Sequence, residues 1–222
     1  MKKNTRIILA LDEQDATKAL KLAKTLSGYL DAIKVGYPLT LSAGVGIIKK
    51  IARFNDVLCD FKLADIPNTN LLVAKELFSK GASGIILHGF TGRDSVRACI
   101  EAARATAAGK DREKEIFIVV EMSHEGALEF LRPVSDKLAR LAVELGASGI
   151  IAPGTRPQRI KELRSIVGSL LILCPGIGAQ GGSAVAAIKA GADYIIVGRS
   201  IYQAEVPEEA IKNIIQELKT LE

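Results

Sequence analysis

Short aliphatic runs alternate with longer stretches in which apolar residues recur at helical spacing, and the exchange continues from one end of the chain to the other. The runs Arg6 to Leu11, Ala32 to Val35, Val57 to Phe61, Gly84 to Leu87, Ile116 to Val120, Gly149 to Ala152, Leu170 to Cys174 and Tyr194 to Val197 read as eight strands. Between them the spacing predicts helices, among them Asn68 to Ser79, Arg93 to Ala107, Val134 to Leu145, Pro157 to Val167, Ser183 to Lys189 and Pro207 to Leu218. Gly81-Ala82-Ser83-Gly84-Ile85-Ile86, Gly146-Ala147-Ser148-Gly149-Ile150-Ile151 and Gly191-Ala192-Asp193-Tyr194-Ile195-Ile196 share one design. Each ends a helix at a glycine and opens a strand. Their unequal spacing marks the return of a βα unit rather than a solenoid. Eight such units predict an α/β chain closed into a (β/α)8 TIM barrel, with residues 1–222 forming a single domain, rather than an open doubly wound sheet.

Composition narrows the function classes. Hydrophobic residues make up 48% of the 222, with no Pro/Gly/Ser-rich linker, so a sizeable core can form. The net charge of +5 is spread among acidic residues along helical segments such as Lys18 to Lys24 and Arg156 to Arg164, which read as solvated faces. Aromatics are only 5% and tryptophan is absent, which argues against a nucleic-acid reader and leaves a small anionic substrate as the better use of the basic excess. The three cysteines, Cys59, Cys99 and Cys174, lie far apart with no C-x-x-C pair, so they are expected to be reduced and buried in a cytoplasmic protein. The apolar run Ile7 to Leu11 stops at Asp12, too short for a signal peptide, and no stretch is long enough to span a membrane.

In a barrel of this kind, polar residues at the carboxyl ends of strands point to chemistry. Those ends supply Asp12, Lys34, Asp60 with Lys62, His88, Glu121 with Ser123, Pro153-Gly154, the loop Pro175 to Gly182, and Gly198-Arg199. The densest cluster is Asp60, Lys62 and Asp65. Residues two apart on a strand share a face, so Asp60 and Lys62 emerge side by side and must neutralise one another. Flanking carboxylates would raise the pKa of Lys62 and keep it protonated, fit to deliver a proton to a forming carbanion. Asp65 lies beyond the strand period and is expected to project sideways, toward a neighbouring subunit. Lys34 interrupts an apolar strand and requires an anion, either a ligand or a salt bridge to Asp60 or Asp12. Asp12 could equally cap the next helix.

Residues 176–181 contain a G-x-G-x-x-G, yet only one strand follows, so the loop reads as a phosphate site after strand seven rather than a dinucleotide fold. Gly198 and Arg199 after strand eight complete it, the guanidinium being able to hold two phosphate oxygens. His88 and His124 stand at strand ends without an evident orienting partner. Ser123 lacks a triad context and suits hydrogen bonding to substrate. No H-E-x-x-H or Cys/His cluster suggests a metal.

Together Leu9 to Asp12, Ile33 to Gly36, Asp60 to Thr69, Met122 to His124, Pro175 to Gly182 and Val197 to Arg199 make the chain resemble the orotidine 5'-phosphate decarboxylase family in its compact microbial form. The resemblance implies a cofactor-free carboxy-lyase that converts orotidine 5'-phosphate to UMP in pyrimidine biosynthesis, working as a homodimer. It implies that Asp12 and Lys34 contact the ribose and that Asp60, Lys62 and Asp65 form the charged array at the reacting carbon. Asp65 and Thr69 would come from the partner subunit. Ser123 would read the pyrimidine edge, while Pro175, Gln180, Gly198 and Arg199 would line the phosphate site. Two rivals remain. Mg2+-dependent enzymes acting on sugar phosphates resemble this chain in the D-x-K-x-x-D run but carry a Glu ligand where it has Lys34. A non-catalytic nucleotide-binding barrel would leave Lys62 and its carboxylates unexplained.

Overall fold

In the computed structural model, which describes Met1, residues 3–107 and residues 113–221, eight parallel strands pair in sequence order and the last closes onto the first. They are β1 (Ile7–Ala10), β2 (Ala32–Gly36), β3 (Val57–Leu63), β4 (Gly84–His88), β5 (Glu115–Val119), β6 (Gly149–Ile151), β7 (Leu171–Pro175) and β8 (Tyr194–Val197). The helices are α1 (Ala16–Leu26), α2 (Tyr37–Ala43), α3 (Ile47–Ile51), α4 (Pro67–Ser79), α5 (Arg93–Ala107), α6 (Ala127–Phe130), α7 (Ser135–Leu145), α8 (Pro157–Val167), α9 (Ala184–Lys189), α10 (Arg199–Tyr202) and α11 (Pro207–Lys219). The (β/α)8 barrel expected from the alternation is what the chain forms. Two of the named helices have the expected ends, and the others differ by a residue at one end. α1 and the short helices α2, α3, α6 and α10 supplement that set, the short ones being too brief for periodicity to reveal.

Strand alternation produces two cores. Ile8, Leu58, Ile86, Phe117, Ile151, Leu173 and Ile196 point inward and fill the barrel. Ile7, Leu9, Ile33, Cys59, Ile85, Ile118, Ile150 and Ile195 point outward against the helices. Cys59, Cys99 and Cys174 all lie in the outer core and are free. Burial pushes the thiols of Cys59 and Cys99 up to about 12 and raises that of Cys174 as well. The recurring glycines Gly81, Gly146 and Gly191 have φ of +102°, +69° and +110°, a backbone geometry that an L side chain resists, and this is why each helix-to-strand turn uses one. No helix among the described residues is long and apolar enough to cross a membrane.

The largest departure from the expected boundaries is at β3, which runs on to Leu63 instead of stopping at Phe61. Its register against β4 slips between Asp60 and Leu63. Asp60 and Lys62 therefore lie on a bulged strand end, while Asp65 falls in the bend that follows, as expected.

Candidate active site

Register brings the inward-facing positions of neighbouring strands to the carboxyl mouth of the barrel. Ala10 pairs with Lys34, and Gly36 with Asp60, so β1, β2 and β3 deliver Asp12, Lys34 and Asp60 to one side of the opening. Lys34 Nζ lies 3.2 Å from Asp60 Oδ2 and 3.6 Å from Asp12 Oδ1. Lys62 Nζ donates to both Asp60 oxygens at 3.0 Å. Asp60 thus sits between two ammonium groups. Both salt bridges open to Lys34 form at once, and Asp12 lines the mouth rather than capping the next helix. The capping of α1 falls to Asp15, whose side chain accepts from Lys18 N at 2.9 Å.

Burial would push the Asp60 carboxyl up, but Lys34 and Lys62 outweigh it and hold the group below the usual carboxylate range. For Lys34, burial acts downward and is outweighed by Asp60 and Asp12, which keep the ammonium above the ordinary lysine range. The His88 imidazole is pushed down by burial and then by Lys62, and its buried Nδ1 has no hydrogen-bond partner among the described residues. Its ring rests against Phe90 with centroids 4.8 Å apart.

The mouth opens into a cavity of about 390 Å3. Asp12, Lys34, Asp60 and Lys62 form one wall, while Ser123, Pro175, Gln180, Gly198 and Arg199 form the other. His124 and Tyr202 also line it. The loop after β7 folds tightly: Gly178 N donates to Gly182 O, Gly182 N to Gly176 O, and Ala179 N to Ser200 Oγ. Ser123 Oγ and Gln180 Oε1 are 2.7 Å apart, a hydrogen bond joining the loops after β5 and β7 across the opening. Asp65 and Thr69 are not brought into this cavity. Asp65 is exposed and accepts from Ile66 N at 2.7 Å. With Thr69 it lines a separate lateral groove, and Lys62 belongs to both spaces.

One polar assembly behind the mouth corrects the expectation that the Arg156 to Arg164 segment is a solvated face. Glu121 is fully buried and holds Arg159 Nε at 2.8 Å and Arg156 Nε at 3.1 Å. Arg156 reaches on to the carbonyls of Met122 and Ser123, and Thr155 Oγ1 donates to Ser123 O at 3.0 Å. Arg164 binds Asp193 and the Gly168, Leu170 and Gly191 carbonyls. Helical spacing alone cannot show that Arg156 and Arg159 are directed at a carboxylate 35 and 38 residues away, or Arg164 at one 29 residues away. The available signal was Glu121 itself, an acid closing an apolar strand.

The arrangement sets a glycine-rich rim carrying Gln180 and Arg199 opposite a lysine–carboxylate–lysine row. Residues 5–214 match the model of the orotidine 5'-phosphate decarboxylase / HUMPS family. The orotidine 5'-phosphate decarboxylase of Methanosarcina mazei is 53% identical over 220 residues, covering 99% of this chain and 97% of that one. Among solved structures, orotidine 5'-phosphate decarboxylase from Pyrococcus horikoshii superposes with a TM-score of 0.87 at 49% identity, covering 96% of this chain and 99% of that one. The Methanocaldococcus jannaschii enzyme complexed with inhibitor BMP gives 0.89 at 44%, covering 96% and 97%. A family match through almost the whole barrel, joined to relatives that share half of their residues with it from end to end, places the chain in the orotidine 5'-phosphate decarboxylase / HUMPS family.

Proposed function

We infer that the chain removes CO2 from orotidine 5'-phosphate to give UMP, a step of pyrimidine nucleotide synthesis. The observation that carries this reading is the row Lys34, Asp60, Lys62 at the wall of a cavity whose opposite rim is built for an anion. Phosphate suits the loop after β7, with Pro175, Gln180, Gly198 and Arg199 around it. Asp12 and Lys34 then meet the ribose, Ser123 the pyrimidine edge, and C6 lies toward Lys62. Breaking the bond to the carboxylate leaves its electron pair on C6, where little delocalisation is available. The Lys62 ammonium stabilises that charge and then transfers its proton to C6, and solvent returns the proton to the amine. Asp60 keeps both lysines paired while the cavity is empty. The position of Lys34 also supports metal-free chemistry, since an ammonium between Asp12 and Asp60 occupies the place a divalent cation would need and repels it.

The composite site belongs to the same proposal. Asp65 and Thr69 lie outside the cavity of their own chain, and exposed apolar residues surround them: Ile66 at 65% exposure, Leu72 at 59% and Tyr37 at 52%. A homodimer that buries this side would present Asp65 and Thr69 to the partner's mouth.

The test is turnover of orotidine 5'-phosphate in buffer containing a chelator, followed by loss of orotate absorbance and release of CO2. Lys62→Ala is expected to abolish turnover, with UMP still bound through the phosphate rim. Activity that appears only with Mg2+ and a sugar phosphate would overturn the reading, as would full turnover by Lys62→Ala.

A further inference from the structure

We propose that Tyr37 is a positioning residue for Lys62, acting through the backbone bulge from which that lysine projects. β3 pairs with β4 at Asp60↔Ile86 and next at Leu63↔Leu87, so Phe61 and Lys62 fall outside the ladder. Lys62 has φ of +45°, in the left-handed region that a residue with a side chain avoids unless its surroundings hold it there. This geometry accompanies the turn of the side chain back onto both Asp60 oxygens at 3.0 Å. The direction of Lys62 depends on the peptide unit that precedes it, and the Phe61 carbonyl of that unit accepts a hydrogen bond from Tyr37 Oη at 2.8 Å. The two rings meet edge to face, with centroids 5.1 Å apart and planes at 65°.

Tyr37 is well placed for this task. It opens α2 directly after Gly36, and Pro38 stiffens the first turn. Gly36 pairs with Asp60, and a Cβ there would lie 3.3 Å from the Asp60 carbonyl oxygen, so the glycine lets β2 approach β3 closely. Tyr37 does not line the mouth cavity. Within the chain its hydrogen bond reaches Lys62 through the 61–62 peptide, from the lateral groove that both residues line. Without the hydroxyl, that peptide is released to rotate toward ordinary extended geometry, carrying Nζ away from Asp60 and from the carbon it serves.

The inference rests on the decarboxylase reading with Lys62 as proton donor, and wild-type turnover of orotidine 5'-phosphate checks that reading separately. Tyr37→Phe keeps the ring and removes only the hydroxyl. It is expected to lower kcat by about ten- to a hundredfold, as a small misplacement of a reacting group does, while KM, UMP affinity, Tm and subunit mass stay at wild-type values. A crystal structure of Tyr37→Phe should show Lys62 leaving positive φ. Wild-type kcat in the variant would overturn the proposal. So would a fall in kcat that accompanies loss of UMP affinity or Tm, or one that is recovered by raising protein concentration, since these mark a general structural or interface role. If the wild type does not turn over, the decarboxylase reading fails, and the geometry of Lys62 in Tyr37→Phe still decides whether Tyr37 holds the bulge.

Discussion

An ammonium group drawn into the wall of a cavity must be neutralised, and Asp60 does this for two lysines at once. Its carboxyl is held below the usual carboxylate range, so the stability it contributes is present above its unfolded value near 3.8 and is lost as pH falls through the lower folded value. Asp60→Asn is therefore expected to be less stable than wild type at neutral pH, with the gap narrowing in acid. Urea denaturation of both proteins at about pH 7, 4 and 2 measures it, and a gap that stays constant across that range would contradict the assignment. Lys34 behaves in the opposite sense, its contribution being present at neutral pH and lost only as pH rises through its raised folded value. These three charges were legible in the sequence because each interrupts an apolar strand. The positive φ of Lys62 was not, because it follows from how β3 meets β4, and no local pattern in residues 57–63 encodes that slip.

At the level of elements, the alternation of runs was enough to name eight strands and their order around the barrel, because a strand buried on both faces has little freedom in composition. What it missed is the traffic between elements. The loop after β5 is secured by arginines from the start of α8, and both converge on Glu121. Glu121→Gln keeps the shape but removes the charge shared by buried Arg159 and part-buried Arg156. Arg159 keeps Asp136 and Glu162 as partners and Arg156 is partly exposed, so the expected loss in unfolding free energy by chemical denaturation is about 1.5–3 kcal/mol, the worth of hydrogen bonds to a charged group. The Ser123 loop should loosen as well, because Arg156 links Glu121 to the Met122 and Ser123 carbonyls. A variant as stable as wild type would show that the assembly contributes little. The hydrogen bond between Ser123 and Gln180 was likewise out of reach of sequence reading, joining residues 57 positions apart on loops whose paths only the closed barrel defines.

For the whole molecule, β2, β3 and β4 are neighbours, so the exposed Tyr37, Leu41, Ile66, Leu72 and Phe90 from the units that follow them gather on one side of the barrel. Mixing two inactive variants tests whether that side joins two chains and shares residues across the join. Lys62→Ala and Asp65→Ala, each expected to lose turnover alone, should regain about a quarter of wild-type activity after subunits redistribute at random, because each mixed dimer then holds one intact site. If Asp65 served its own chain, every site would carry a defect and mixing would restore nothing. The three cysteines make such redistribution easy to follow. Their thiols are sealed between barrel and helices and held protonated at neutral pH, so the native surface is silent toward thiol-selective dyes. A single cysteine placed at an exposed position such as Gln216 on α11 would be the one reactive handle, and the unaltered protein already serves as its own blank for fluorescence labelling.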